Sequence, residues 1–269
     1  FAMICFTSVR NDLVDTNVAV GKATYQGLLI KRELFMPISG PETAAFAQRY
    51  GERFDVCPRT IFIGDENWST RVRSNPQLEA VYIRGGAVRR YMLHSALLLS
   101  HAEPLQHRLA FLTRTNWFSE AQERAYESIC PVMIPDVMAD QLGISPERVN
   151  RGDVTLAIDN RTFAVQGIFA AASLNALRDL DGRDLLPFDL ERMVTVTAPK
   201  DASLAANIAA KEDDPRIPAE QLIIAPQRPA FESAPHAHAR TVSLAVSMPQ
   251  AGYKEARDEI TRFMQQTGQ

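Results

Sequence analysis

The apolar residues of this chain fall in short segments, and none approaches the roughly 18 consecutive apolar residues that a membrane-spanning helix requires. Turn-forming residues, mainly Gly, Pro, Asn and Asp, separate many of these segments. The pattern predicts a mixed set of short strands and helices around a hydrophobic core. A chain of 269 residues is long enough for one large domain or two smaller ones.

Similar strand and helix signals occur near both ends of the chain. An apolar alternation over 28–38 predicts a strand, and Ser39 to Glu42 then has the capping-box arrangement that begins a helix, which Gly51 would end in a left-handed conformation. Residues 54–63 predict the next strand, giving a β-α-β order. Residues 242–248 predict a late strand. A last helix follows, with one apolar stripe: Ala256, Ile260, Phe263 and Met264.

The middle of the chain is rich in short strands. Clean alternation on both sides of the Asp159-Asn160-Arg161 turn, over 154–165, predicts a β-hairpin. Residues 78–83 predict a strand that Gly85-Gly86 ends, and the apolar spacing of 88–100 predicts a helix after it. Weaker helical spacing also occurs over 9–27. The remaining predictions are helices beginning at Ser119, near Val137 (ended by Gly143), at Ser145 and at Asp201, strands over 131–135, 194–197 and 222–225, and a loop over 226–240.

The charge pattern argues against a nucleic-acid binder. The formal net charge is -3 and the isoelectric point about 6.0, and basic residues are interspersed with acidic ones. The tightest basic pair, Arg89-Arg90, is explained by a solvated surface.

No catalytic motif or metal-ligand spacing is evident. Residues 179–184 concentrate carboxylates, but they lack the ligand pattern of a calcium loop, and Arg183 can pair with an aspartate in an ordinary turn. Gly85-Gly86 lacks the remaining glycines of a phosphate-binding loop. The histidines are interpreted as surface or capping residues rather than metal ligands, although His94 and His101 would share a face if 88–100 were helical: His94, His101, His107, His236 and His238. We therefore predict no catalytic, cofactor-binding or metal-binding residues.

Three cysteines, Cys5, Cys57 and Cys130, lie far apart in the sequence. They are interpreted as small buried apolar residues, and the sequence leaves open a disulfide between Cys57 and Cys130. Residues 1–6 are apolar but lack the features of a signal peptide. They fit either a buried first strand or the end of a preceding hydrophobic segment.

A family resemblance rests on the order of elements in the middle of the chain. Residues 131–143 give an apolar strand and a helix ending in Leu-Gly, 149–158 place a Gly before a strand, and 161–168 read Arg-Thr-Phe-Ala-Val-Gln-Gly-Ile. This succession resembles the MacB-like periplasmic core domain of MacB/FtsX-type ABC permeases. The resemblance covers 78–190, with 181–188 at the exit loop, and the strand and helix of 241–266 agree with it.

The resemblance implies an α+β fold with two subdomains. A porter-like β-α-β layer would combine 1–76 with 226–269, and a strand-rich middle subdomain would comprise 77–225. It further implies a non-catalytic extracytoplasmic (periplasmic) domain at the inner membrane, without cofactors. Its partners would be the flanking transmembrane helices of the same chain, an ABC ATPase subunit reached through the membrane part, an unidentified periplasmic partner or cargo, and a second copy in a dimeric transporter.

Two other functions remain open from the residues. A free-standing periplasmic ligand-binding protein would require a signal peptide and a deep cleft between subdomains. A hydrolase would require Asp181, Asp184 or His236 to converge in a pocket with perturbed pKa values.

Overall fold

A computed structural model describes residues 11–20, 23–32, 38–63, 78–125, 129–158, 161–179, 182, 184–187, 216–227, 238–249 and 251–267. Its strands are β1 (Asn11–Val20), β2 (Ala23–Arg32), β3 (Asp55–Ile63), β4 (Leu78–Arg84), β5 (Ala87–Leu93), β6 (Ser95–Leu99), β7 (Cys130–Pro135), β8 (Thr155–Ile158), β9 (Arg161–Phe169), β10 (Leu222–Pro226) and β11 (His238–Ser247). Its α-helices are α1 (Gly40–Tyr50), α2 (Glu120–Arg124), α3 (Asp136–Leu142), α4 (Pro146–Asn150), α5 (Ala171–Asn175) and α6 (Tyr253–Thr267), and 3-10 turns span Pro104–Arg108 and Ala219–Gln221.

The strands form one sheet in the order β1-β2-β11-β3-β6-β10-β7-β9-β8-β4-β5. The pairs β6/β10 and β7/β9 are parallel, and the other pairs are antiparallel. The late strand β11 lies between β2 and β3, so the two ends of the chain are interleaved in one part of the sheet. The predicted α+β fold class is confirmed.

Side chains alternate between the two faces of the sheet, and three buried clusters result. On one face, α1 and α6 cover β2 and β11 in the end cluster, which contains Phe46, Leu244 and Ile260. The middle cluster lies farther along the same face of the sheet, where α3 and α4 cover strands β4 to β10. The opposite-face cluster lies under the 3-10 turns, α5 and the segment containing Phe118, and it includes Leu29 and Leu97.

Several predicted elements are confirmed. Ser39 and Glu42 form both hydrogen bonds of the capping box at the start of α1, and Ser119 forms a second capping box with Gln122. The hairpin β8–β9, the strands β3, β4, β7 and β10, and the helices α3, α4 and α6 also follow the predictions. Gly143 ends α3 with a left-handed φ of 70°. Gly51 does not do so, because its φ is -65°, and that expectation was wrong.

Two predicted helices are wrong. The segment 9–27 contains β1 and much of β2, which pair in an antiparallel hairpin from Asn11 opposite Arg32 to Val20 opposite Ala23. The segment 88–100 contains β5 and β6. Gly85 and Gly86 have φ values of 55° and 80°, and this pair of left-handed residues makes a tight turn that folds β5 back onto β4. The glycines therefore form a hairpin turn rather than a phosphate loop.

Other boundaries differ less. The strand predicted over 28–38 begins earlier, at Ala23, and the loop predicted over 226–240 gives way to β11 at His238. The predictions for 1–6, 194–197 and the helix at Asp201 lie outside the described residues. None of the described helices combines the length and apolar character needed to cross a membrane.

Candidate functional site

A buried ionic network occupies the opposite face of the sheet, where strands from the chain ends meet segments from the middle. Arg59 on β3 donates from Nε to Glu103 at 3.1 Å and from Nη2 to the other Glu103 oxygen at 2.9 Å. Its Nη1 binds Asp179, whose second oxygen lies 2.7 Å from the Lys31 ammonium on β2. Two cations therefore face two carboxylates.

The backbone around each carboxylate fixes its position. Glu103 precedes the first 3-10 turn, and its side chain accepts a hydrogen bond from the Leu105 amide at 3.1 Å, so it caps that turn as well as binding Arg59. Asp179 follows α5, and its carbonyl accepts a hydrogen bond from Gly182 at 2.9 Å. Both acidic residues are thus held by local turns that point them at the sheet.

Burial makes the pairing of these charges essential. The side chains of Arg59 and Glu103 are each 1% exposed, and that of Asp179 is 3% exposed. Burial alone lowers the pKa of the Arg59 guanidinium, but the carboxylates of Asp179 and Glu103 outweigh that effect and raise it. Each cation of this buried network is therefore matched by a carboxylate. The network connects elements that lie far apart in the sequence.

The network crosses the boundary proposed from the sequence. Lys31 and Arg59 belong to segments assigned to the porter-like subdomain, whereas Glu103 and Asp179 belong to the middle one. No motif or spacing in the sequence relates Lys31, Arg59 and Glu103, which lie in separate elements. The one available signal was a charged residue, Arg59, within the strand predicted over 54–63.

A second group of contacts joins α1 to α6. Glu259 on α6 accepts a hydrogen bond from Arg53 at 3.0 Å and lies 3.7 Å from Arg49. The hydrogen bond from Arg53 lowers the pKa of Glu259, with a smaller contribution from Arg49. Beneath this pair, the Phe263 ring lies edge-on to Tyr50, with the centroids 5.6 Å apart. The last helix is therefore held to α1 by both polar and aromatic contacts.

The strand registers show where the first described residue lies within the end layer, which is the part of the fold that contains the end cluster. Lys31 of β2 lies opposite Ser243 of β11, and Asn11 of β1 lies opposite Arg32. The first described residue is therefore at the same end of the layer as the first half of β11. Helix α1 also begins there, because Ile38 forms a bridge with Thr241.

Helix α6 returns to that same end. Its first half contacts the region after α1, through Glu259 and Arg53, whereas Phe263 reaches back to Phe46, one turn earlier in α1 than Tyr50. The two helices are therefore antiparallel, and the last turn of α6 lies near the start of α1. Asn11 and the last turn of α6, the two ends of the described chain, therefore lie at one end of the same layer.

Within the acidic segment 179–184, the two aspartates that the structure describes are paired with cations. Asp179 is occupied by Lys31 and Arg59, and Asp184 pairs with Arg178 and lies 3.5 Å from Arg216. Charged side chains of this chain therefore neutralise both aspartates. Asp181 and Arg183 lie outside the described residues.

The histidines are dispersed. His94 is buried between β5 and β6, His101 binds Glu123 at 2.8 Å, and His107 lies in the first 3-10 turn. His94 and His101 do not share a helix face, because the segment between them is a strand. His236 lies outside the described residues and His238 begins β11. Within the described ranges, no three potential metal ligands come together.

The two cysteines within the described residues are both free thiols. Cys57 is buried in the opposite-face cluster and donates to the Ala102 carbonyl at 3.3 Å, and burial raises its pKa. Cys130 packs against the middle cluster on the other face of the sheet. A disulfide between them is absent, and Cys5 lies outside the described residues.

Neither the family models nor the curated proteins give a match to this chain. Its structure is similar to the extracellular domain of the noncanonic ABC-type transporter YknZ from Gram-positive bacteria, with 8% identity and a TM-score of 0.41, over 81% of this chain and 78% of that one. It is also similar to the periplasmic region of MacB from Actinobacillus actinomycetemcomitans, with 8% identity and a TM-score of 0.38, over 78% of this chain and 84% of that one. The similarity to a MacB-like periplasmic region, predicted from the sequence, is thus also found in the structure.

Proposed function

We propose that this chain is an extracytoplasmic domain of an ABC-transporter permease, inserted between two membrane spans of the same protein. The observation that carries the proposal is the position of the first and last residues that the structure describes. Asn11 and the last turn of α6 lie at one end of a single layer, as a domain requires if it rises from the membrane and returns to it. The order of elements over 78–190, which resembles the MacB/FtsX-type domain, supports the same function.

The domain would act mechanically and without catalysis. ATP hydrolysis by a cytoplasmic ABC ATPase would move the flanking spans, and α6 and β1 would carry that movement into the layer built on the end cluster. The ionic network would pass it on, because Arg59 and Lys31 hold Asp179 in the middle part of the chain. The domain would thereby alternate between states that differ in affinity for a periplasmic partner or cargo.

The moving units in this proposal are the porter-like layer, from 1–76 and 226–269, and the middle subdomain of 77–225. Their shared sheet limits the change to small shifts between packed elements rather than a wide hinge opening. In the full transporter we expect two copies of the permease, at the outer face of the cytoplasmic membrane.

The topology of the native protein tests the proposal directly. The Arg124 side chain is 78% exposed, so Arg124→Cys supplies an accessible label site on a short surface helix. In intact cells a membrane-impermeant maleimide should label this cysteine, and spans should flank the domain on both sides. Labelling only after cell lysis would contradict the proposal. External labelling with a cleaved leader and no following span would favour a free-standing ligand-binding protein.

The transmission step has its own test. Arg49→Cys and Glu259→Cys replace an exposed contact between α1 and α6 and can be joined by a short bifunctional maleimide, in a background with Cys5 and Cys130 changed to Ser. We expect this link to block the transporter-dependent process. A matched link between Glu120→Cys and Arg124→Cys, one turn apart on the exposed helix α2, should leave it intact. Full activity with α1 and α6 linked would contradict transmission through α6.

A further inference from the structure

The two carboxylates of the buried network are attached to the fold in different ways. Glu103 follows β6, whose Leu99 lies directly opposite Arg59 in the ladder between β3 and β6. The Glu103 carboxylate accepts two hydrogen bonds from Arg59, at 3.1 and 2.9 Å, and a third from the Leu105 amide. Because β3 and β6 are hydrogen-bonded neighbours, Glu103 stays beside Arg59 as long as the sheet is intact.

Asp179 belongs instead to a turn whose described residues bond to one another. We call it the Asp179 turn, and its described residues are Leu177, Arg178, Asp179, Gly182, Asp184 and Leu185. The Leu185 amide donates to the Leu177 carbonyl at 3.3 Å, and Arg178 and Asp184 form both a β-bridge and an ion pair. A shift of the turn as a unit therefore leaves these internal contacts in place.

The Asp179 turn is bonded to the middle of the chain through its backbone and to the end layer through charge. On the middle side, Arg216 donates to the Asp184 carbonyl at 2.9 Å. On the other side, Asp179 binds one guanidinium nitrogen of Arg59, and its second oxygen lies 2.7 Å from the Lys31 ammonium. A displacement of the end layer relative to the middle therefore acts on the contacts of Asp179.

Withdrawal of Asp179 leaves no unpaired charge in the interior. Arg59 keeps Glu103, and this buried pair is neutral. The Lys31 side chain is 23% exposed, and a lysine in such a position can turn its ammonium into water on its flexible stem. Since an uncompensated buried charge is the costly state, the network has two arrangements, with Asp179 bound or withdrawn, that both avoid it.

We infer that the Lys31–Asp179 ion pair is a releasable latch between the Asp179 turn and the end layer, and that the Arg59–Glu103 pair stays closed when the latch opens. This inference rests on the proposed function for the movement that opens the latch, and it names the contact through which the end layer controls the middle of the chain. Release of one carboxylate breaks no strand pairing, so it fits the small shifts that a shared sheet permits.

Two buried thiols report the two halves of the network separately. Leu177→Cys places one thiol in the Asp179 turn, at a residue that is 5% exposed. The native Cys57 lies two residues before Arg59 and donates to the Ala102 carbonyl, next to Glu103, so it reports the fixed pair.

The rate at which a maleimide in excess labels each thiol measures how often its surroundings open locally. The measurement uses the complete 269-residue chain with Cys5→Ser and Cys130→Ser, and peptide mass spectrometry separates the two rates. Lys31→Met should raise the rate at Leu177→Cys about tenfold, which corresponds to about 1.4 kcal/mol of opening free energy. The rate at Cys57 should stay within about twofold of its original value.

Three further variants separate charge from packing. Lys31→Arg retains the cation and should keep the labelling rate at Leu177→Cys close to that with the native lysine. Arg59→Met breaks both pairs and should raise both rates. The matched control Arg90→Met breaks an exposed ion pair elsewhere and should change neither rate.

Equal acceleration at both thiols in Lys31→Met would overturn the latch, because the network would then open as one unit. An unchanged rate at Leu177→Cys would also overturn it, as would labelling of Lys31→Arg as fast as that of Lys31→Met. If Leu177→Cys unfolds the chain, Leu185→Cys, at a half-buried position of the same turn, takes its place. The rates are measured on the isolated chain, so failure of the latch and failure of the topology test of the proposed function are distinguishable.

Discussion

Arg59 on β3 binds Asp179, 120 residues further along the chain, and both side chains are almost completely buried. The same guanidinium holds Glu103 with two of its nitrogens. Asp179 is also paired with Lys31, whereas Arg59 is the one cationic partner of Glu103 within the network. Arg59 is therefore the centre of the connection between the end layer and the middle of the chain.

Replacing Arg59 should be among the most destabilising single changes in this protein. Arg59→Met leaves the Glu103 carboxylate buried without its cation, and removal of one partner from a buried ion pair typically costs about 3–5 kcal/mol. Urea unfolding followed by circular dichroism measures the loss. Arg90→Met, which breaks the exposed pair with Glu79, is the matched control and should cost at most about 1 kcal/mol. Equal losses in the two variants would show that the buried network adds no special stability.

Gly167 should not tolerate a side chain. A Cβ placed there would lie 2.5 Å from the Thr115 Oγ1 and 2.6 Å from its Cγ2. Gly167→Ala should lower the free energy of unfolding by about 1–3 kcal/mol, the usual cost of forcing extra volume into a packed site. Thr115→Ala removes both clashing atoms. The free energy of unfolding lost in the double variant should therefore be smaller than the sum of the losses in the two single variants. Simple additivity in urea titrations would contradict the steric explanation.

The capping box of α1 should contribute measurably to the stability of the end layer. The Glu42 amide donates to the Ser39 hydroxyl at 3.3 Å, and the Glu42 carboxylate accepts from the Ser39 amide at 2.9 Å. Ser39→Ala should cost about 1 kcal/mol, whereas Ser39→Asp, another good helix N-cap, should retain most of the stability. Thermal unfolding of the three proteins gives the comparison. An alanine variant as stable as the aspartate variant would argue against the cap.

The parts of the fold that could be predicted from the sequence are those set by local chemistry. Ser39 with Glu42, the left-handed Gly143 and the alternation across β8 and β9 each express their structure within a few residues. The apolar stripe of α6 likewise follows from helical spacing alone, and Ala256, Ile260 and Met264 are buried as that stripe requires. Local signals therefore predicted most elements in the middle of the chain and the helix at its end.

The wrong helices arose where spacing fits two structures. Tyr91 with Leu93 follows the alternation of a half-buried strand, but Val88, Tyr91 and Met92 also fit one face of a helix. Two successive glycines between apolar segments were the signal for a hairpin. In β6 every residue is buried, since the strand is covered on both faces, and a continuous apolar run of that kind does not distinguish strand from helix.

The candidate site was beyond prediction for a different reason. Arg59 meets Glu103 across 44 residues and Asp179 across 120, and no spacing rule relates such positions. The convergence of the chain ends likewise depends on β11 lying between β2 and β3, which is a property of sheet topology. The resemblance of the middle segments indicated the class of domain, whereas the connection within it required the tertiary structure.

The contact between α1 and α6 should make stability depend on pH through Glu259. The hydrogen bond from Arg53 lowers the pKa of this carboxyl in the folded state, whereas the unfolded chain has a value of about 4.3. The resulting stabilisation is present above about pH 4.3 and is lost as the pH falls through the lower folded value. Because Glu259 is 31% exposed, we expect at most about 1 kcal/mol.

Glu259→Gln removes that titration, so the stability difference between the native and variant proteins should shrink from pH 7 towards about pH 3 in urea titrations. Arg53→Met removes the hydrogen bond from the other side and should reduce the same pH dependence. The double variant should then be little worse than either single one, because both changes break one interaction. A difference that stays constant with pH would mean that Glu259 stabilises α6 by packing rather than by charge.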